Sequence, residues 1–278
     1  MLKISRRTKA GGGLIAGLLG AALALLPAAS SASEPLHPST PKTTTIVLVH
    51  GAWADGSSWS SVTEKLQREG YTVDVVANPL RGVKADADYL KDRLSQISGP
   101  IVLVGHSYGG MVITSAAAGN ANIKALVYVD AYIPDEGDTV GGLTGPDSSL
   151  DPDTTLNPVP LKDANGAVYG VDLYVKPDLF PAIFAGGVPP ERAAVLAAGQ
   201  RPVTLAALSE PFAGEPAWKT IPSWDLIGTV DRVIPRAEQE KMAKRAGAHI
   251  VRVEAPHLSM VSDPRAVTSL IIAADKQS

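Results

Sequence analysis

Cysteine is missing from the 278 residues. That absence excludes a disulfide, a thiolate metal site and a lipoprotein anchor. Metal-binding spacings are also lacking: there is no H-x-x-H, and the Asp-rich stretches 135–138 and 147–153 do not have the spacing of a calcium loop. Those stretches read as solvated turns. Neither a phosphate-cradling glycine loop nor a dinucleotide fingerprint occurs, so no metal and no cofactor is expected. Basic excess is absent too. The formal charge is −3, and beyond residue 33 the balance is 21 basic to 28 acidic side chains, a net of −7. Nucleic acid and anionic membranes reward clustered Lys and Arg, so neither is expected as a partner. No internal repeat is evident.

The basic residues Lys3, Arg6, Arg7 and Lys9 open a segment that reads as an export signal. They precede the apolar core "LIAGLLGAALALL" (14–26) and the small-residue region "PAASSAS", which suits cleavage. Thirteen apolar residues are too few to cross a bilayer comfortably, so a removed signal over 1–33 is expected rather than an anchor. The pair Arg6-Arg7 fits the twin-arginine route, although the apolar residues that usually follow such a pair are missing. The expected destination is the periplasm or the medium, and an exported chain without disulfides suits a bacterium. Residues 34–43, "EPLHPSTPKT", read as a linker.

From there the chain alternates. "TTTIVLVH" (43–50) is a continuously apolar, β-branched run, the pattern of a strand buried on both faces. A helix follows over 57–70, then a strand over 71–78, a helix over 86–97, a strand over 100–105, a helix over 108–118 and a strand over 123–130. Strand, helix, strand and helix return over 223–229, 236–247, 248–254 and 264–275. Such alternation implies an α/β fold, with a mostly parallel sheet covered by helices on both faces, formed by 44–130 and 221–278. Between these parts, 131–220 opens with a stretch dense in Pro, Gly and Asp, then gives short helical pieces near 171–184, 190–199 and 203–212. A segment this long inside one domain reads as a cap or lid over a site.

"GHSYG" (105–109) fits G-x-S-x-G, a strand-to-helix turn so sharp that it strains the serine and demands glycine beside it. A hydroxyl needs a base before it attacks. His37 lies in the linker, His106 is pinned inside the turn, His249 opens a strand and His50 ends one. His257, in the loop "EAPHLSMVSDP" after the last strand, falls at the same sheet edge as Ser107 and is the expected base. Two aspartates end strands between these residues. Asp231 is preferred as the acid, because Asp130 abuts the insertion and could instead cap a turn or line the entrance. Asp225 begins its strand and is less well placed. The oxyanion donors expected are the N–H of Tyr108, after the nucleophile, and that of Ala52 in "HGAWADGSSW", with Trp53 second. Trp53 and Trp59 are core aromatics or pocket walls. Phe180, Phe184, Leu196 and Phe212, in the insertion, would either line the pocket or join the insertion to the core. Trp53, Phe180, Phe184 and Phe212 are the candidate substrate contacts.

The stretches "IVLVHGAWADGSSW", "VGHSYGGMVI", "GTVDRVIP" and "APHLSMVSDP" together resemble the α/β-hydrolase superfamily across about 43–275. They look most like the branch holding the plant methylesterases and hydroxynitrile lyases with their bacterial relatives. The resemblance implies Ser107 as nucleophile, Asp231 as acid, His257 as base, and Ala52 and Tyr108 as oxyanion donors. A helical cap over a mostly apolar pocket is implied as well. Lyases of this branch use a lysine near the histidine, where this chain has Arg232, a cation with no titratable proton at working pH. The expected function is an exported serine hydrolase acting on carboxylic esters of small to medium apolar substrates. The rivals are lactone opening, C–C cleavage or cyanohydrin lysis by the same residues, or a ligand receptor that turns over slowly.

Overall fold

A computed structural model describes residues 41–278. The expected signal over 1–33, His37 and all but the last three residues of the linker lie outside the described residues. In chain order, the first half comprises β1 (Thr45–Val49), α1 (Ser60–Arg68), β2 (Thr72–Val76), α2 (Val83–Leu94), β3 (Ile101–His106), α3 (Gly109–Ala116) and β4 (Ile123–Val129). The segment that follows carries α4 (Val140–Thr144), α5 (Pro152–Thr155), β5 (Leu156–Lys162), β6 (Val168–Val175), α6 (Phe180–Ile183), α7 (Pro190–Ala198), β7 (Val203–Thr204) and α8 (Leu205–Ser209). The chain closes with β8 (Ser223–Gly228), α9 (Arg236–Arg245), β9 (His249–Val253), α10 (Ser259–Ser262) and α11 (Pro264–Gln277).

Six strands form one sheet in the order β2-β1-β3-β4-β8-β9, and every pairing is parallel. The apolar runs explain the arrangement. Ile101, Val102, Leu103 and Val104 of β3 have no exposed surface, as a strand covered on both faces requires. Helix α11 packs on β3, β4, β8 and α1, while α3 packs on β3, β4 and α2, so helices cover the sheet. Amphipathic spacing sets these contacts: Val62 and Leu66 are the buried positions of α1, and Val267, Leu270, Ile271 and Ala274 are among those of α11. The side chain of Asp263 caps α11 by accepting from the N–H of Ala266, and Pro264 fills the first turn.

The segment between β4 and β8 holds more than helices. Strands β5, β6 and β7 form an antiparallel sheet of their own. The helical piece expected near 171–184 is therefore strand through Val175 and helix only over α6. The segment is fastened at several points to the loop after β2 and the start of α2. Arg81 Nη1 donates to Asp172 at 2.6 Å and Nη2 to the Pro202 carbonyl at 2.9 Å. Thr204 donates its N–H to Leu80 O, and Glu210 accepts from the N–H groups of Val83 and Lys84 at the start of α2. Among the described residues, no helix is long and apolar enough to cross a membrane.

Candidate active site

Parallel strands place their carboxyl ends on one edge, and the loops leaving that edge converge. Ser107 leaves β3, Asp231 follows β8, His257 follows β9, and Ala52 follows β1. At Ser107 the turn from β3 into α3 forces φ to +52°, the left-handed region. Such strain in a non-glycine residue is held in place by its surroundings. Gly110 shows how tight they are: a Cβ there would lie 2.1 Å from the carbonyl oxygen of Tyr132. Gly51 presses from the other side, where a Cβ would lie 2.7 Å from Cβ of Ser107.

The structure brings Ser107, His257 and Asp231 together. Ser107 Oγ lies 3.0 Å from His257 Nε2, and His257 Nδ1 donates to Asp231 Oδ2 at 2.8 Å. Asp231 accepts further bonds from the N–H groups of Val233 and Ile234 and from the Gln239 amide at 2.8 Å. All three side chains are buried. Burial pushes the His257 imidazolium down to about 3, leaving the ring neutral at ordinary pH. The same burial raises the Asp231 carboxyl, while the N–H donors of Val233, Ile234 and Gln239 oppose it by favouring the carboxylate. A neutral imidazole within hydrogen-bond reach of a hydroxyl, with a carboxylate fixing its other nitrogen, can take the hydroxyl proton.

Asp130 serves a different purpose from Asp231. Its Oδ1 accepts from the N–H of Gly228 at 2.8 Å and its Oδ2 from that of Ser259 at 3.1 Å. It therefore ties the end of β8 to the chain just after His257. Asp225 is buried in β8 with no partner for either oxygen among the described residues. Burial holds its carboxyl well above the usual range.

The other histidines are fixed too. His50 Nδ1 donates to the carbonyl of Gly51, and Nε2 accepts the N–H of Asn78 at 3.0 Å, which anchors the loop leaving β1. Burial lowers His50 to about 4. His106 donates from Nε2 to the His257 carbonyl at 2.9 Å, pinning the loop that carries the imidazole. Among the described residues, the N–H groups of Ala52 and Tyr108 have no acceptor, whereas that of Trp53 is committed to the Arg201 carbonyl at 3.0 Å. The Tyr108 hydroxyl donates to Asp86 at 2.8 Å, which fixes the ring beneath the insertion.

A cavity of about 330 Å³ opens against Ser107, Tyr108, Ala52 and Trp53. The rest of its wall comes mainly from the insertion, including Val140, Leu150, Leu156, Leu173, Leu205 and Leu208. Tyr132 and Thr144 supply hydroxyls, which bond to one another at 2.8 Å. Among the described residues, no charged side chain lines this cavity. Of the four candidate substrate contacts, Trp53 is at its wall and the three phenylalanines are not. Phe180 and Phe184 line a separate cavity of about 110 Å³ with Leu196 and Trp53. Phe212 is core, its backbone bonded to Gly137 and Asp138. The reason is geometric: the antiparallel sheet carries Leu156 and Leu173 over Ser107 and leaves α6 beside His257.

Gln239 was not foreseen from the sequence. Its signal is a polar residue on the buried stripe of α9, which it shares with Met242 and Ala243. Arg232, next to Asp231, is exposed.

Comparison with known proteins agrees with this architecture. A carbendazim hydrolyzing esterase of Nocardioides sp. (strain SG-4G) is 36% identical over 110 residues, 35% of this chain and 46% of that protein. The match thus spans less than half of that relative's length. The alpha/beta hydrolase nvfD of Aspergillus novofumigatus is 26% identical over 249 residues, covering 81% of this chain and 94% of that one. Among solved structures, a pyrethroid hydrolase from Sphingobium faniae JZ-2 superposes with a TM-score of 0.67 at 22% identity, over 85% of this chain and 99% of the other. Polyneuridine aldehyde esterase gives 0.71 at 18% identity, over 84% and 100%. These two likenesses speak to the fold alone. The profile of the alpha/beta hydrolase family, in contrast, matches residues 46–270, from the first strand of the parallel sheet into its last helix, and on that match the chain belongs to the α/β hydrolase family.

Proposed function

We propose that the protein hydrolyses carboxylic esters of small to medium, uncharged, apolar substrates, with Ser107 as nucleophile. One observation carries the reading: the hydroxyl of a strained serine lies 3.0 Å from an imidazole nitrogen whose ring is backed by a buried carboxylate at 2.8 Å. His257 Nε2 takes the Ser107 proton as Oγ bonds to the ester carbonyl carbon. The N–H groups of Ala52 and Tyr108 then hold the oxyanion, and both are free to do so. The carbon–oxygen bond breaks, and the leaving alkoxide takes the proton from His257. Water, deprotonated by the same nitrogen, attacks the acyl group, releasing the acid and restoring Ser107. The insertion over 131–220 acts as the cap, because its side chains form most of the apolar wall.

Two features support the substrate class. The wall is mostly apolar, and among the described residues it carries no charged side chain to pair with a charged substrate. A relative that matches 35% of the chain is named a carbendazim hydrolyzing esterase. Export by the segment 1–33 belongs to the same reading and rests on its basic start, apolar core and small-residue end. Amino-terminal sequencing of the protein recovered outside the cytoplasm tests that part.

Hydrolysis of an ester panel varying in acyl length is the direct test, with Ser107→Ala alongside. The variant is expected to lose at least three orders of magnitude in kcat. Wild-type rates from Ser107→Ala on every ester hydrolysed would overturn the assignment.

A further inference from the structure

Two spaces, each partly open to solvent, meet at one side chain. The cavity of about 330 Å³ against Ser107 and the second, of about 110 Å³, have a single lining residue in common, Trp53. Its indole stands between them. Nε1–H donates to the carbonyl of Leu173, a residue of the first cavity, at 2.9 Å. The ring meets Phe184, a residue of the second, edge to face with centroids 5.9 Å apart. The backbone is pinned as well: Trp53 has φ of +56°, and its N–H bonds to the Arg201 carbonyl. A residue held by its indole and its amide is a fixed wall rather than a swinging gate.

The second space lies on the histidine side of Ser107. The ring of Phe184 is 5.1 Å from that of His257, and Leu258, the next residue, lines the same space. Its apolar wall is completed by Ala54, Phe180 and Leu196. The space has one polar edge, where the hydroxyl of Ser58 donates to the Asp55 carbonyl and one carboxylate oxygen of Asp55 accepts the N–H of Ser57. In acyl transfer the imidazole gives its proton to the leaving alkoxide, so the alcohol half of an ester lies on the imidazole's side. The first cavity is at the small end of the range for ligand sites, about 300–1,000 Å³.

We infer that Trp53 is the specificity-determining partition of this site: it limits the size of the alcohol group by closing off a second apolar subsite beside His257. Only the naming of the alcohol half rests on the ester reading. The existence of a second subsite behind Trp53 does not. Truncation of the indole joins the two spaces and admits a flat aromatic alcohol.

Two measurements on the wild type, Trp53→Ala and Trp53→Leu test this, the second variant retaining an apolar filler in case the first fails to fold. The first measurement is kcat/KM for ethyl and 2-naphthylmethyl esters of one acid, and for ethyl esters of rising acyl length. Trp53→Ala is expected to raise the naphthylmethyl-to-ethyl ratio at least tenfold, Trp53→Leu by less, with the acyl-length preference unchanged within about twofold. The second is calorimetric titration with 2-naphthol, expected to bind Trp53→Ala at least tenfold more tightly than wild type. Unchanged naphthol binding overturns the partition, as does a shift in acyl preference in place of alcohol preference. Tighter naphthol binding with no ester hydrolysed by any of the three proteins keeps the partition and retires the ester reading.

Discussion

In the proposed reaction His257 can act as base only while Nε2 is unprotonated, so its acidity would set the lower pH limit of a reaction through Ser107. Burial depresses the imidazolium from its ordinary 6.5 to about 3, because the ring has no exposed surface and its charged form would lose its water. The working form is thus the one that persists as pH falls through 6.5. The acid limb of kcat/KM is expected to have its midpoint below pH 6.5, and a midpoint at or above that value would show that the free site is open to water. The sequence made much of this site legible. Ser107, Asp231 and His257 each follow a strand with a readable apolar pattern, so their common edge follows from parallel topology. Asp130 ends a strand at the same edge, and which of the two aspartates meets His257 is decided by distance and partners, which linear order does not carry. Gln239 lies in a helix whose buried stripe is short and whose other residues are mostly charged, which hides one polar side chain turned inward.

At the level of elements, the turn from β3 to α3 is the least forgiving part of the chain. Three constraints coincide there: a serine at positive φ, a helix starting two residues later, and the strand after it running alongside. Gly110 is where they collide, facing the carbonyl of Tyr132. Replacement by alanine must move either α3 or the segment leaving β4, and neither can shift without disturbing Ser107, whose carbonyl also accepts the Tyr132 N–H at 3.2 Å. Gly110→Ala is expected to destabilise the protein by more than about 3 kcal/mol, roughly the upper end for overpacking, because the obstacle is backbone rather than a flexible side chain. Chemical denaturation gives the stability, and a wild-type midpoint for this variant would contradict the packing described. The insertion was harder to read than the turn. Its β5–β6 hairpin is hidden in the sequence: β5 falls where Pro158 and Pro160 argue against a strand, and the end of β6 falls in the stretch 171–184 whose apolar residues suggest a helical piece. Pro is tolerated because β5 is the edge of the small sheet. The usable signal was Asn165-Gly166, a hairpin dipeptide, with Gly166 at φ of +82°.

For the molecule as a whole, two buried groups pull stability in opposite directions with pH. His50 has a folded value of about 4 against 6.5 for the exposed ring, so between those limits the unfolded chain binds a proton that the folded chain refuses. Stability therefore rises with pH from about 4 to 6.5, by about 3 kcal/mol for a shift of this size. His106 and His257, also buried and lowered, add with the same sign. Asp225 acts the other way. Its folded value is raised well above 3.8, so the folded chain keeps a proton that the unfolded chain releases, and stability is lost as pH rises from about 4 toward that folded value. Neither carboxyl oxygen has a hydrogen bond to lose among the described residues, so an apolar side chain of similar size should not forfeit one. Asp225→Val is accordingly expected to raise the unfolding free energy at pH 8, with the gain shrinking as pH falls toward 4. Urea unfolding of both proteins at pH 4.5, 6.5 and 8 measures this directly. A gain independent of pH would mean that packing rather than the buried carboxyl is responsible, and a loss at pH 8 would mean that Asp225 has a partner that stabilises its charge.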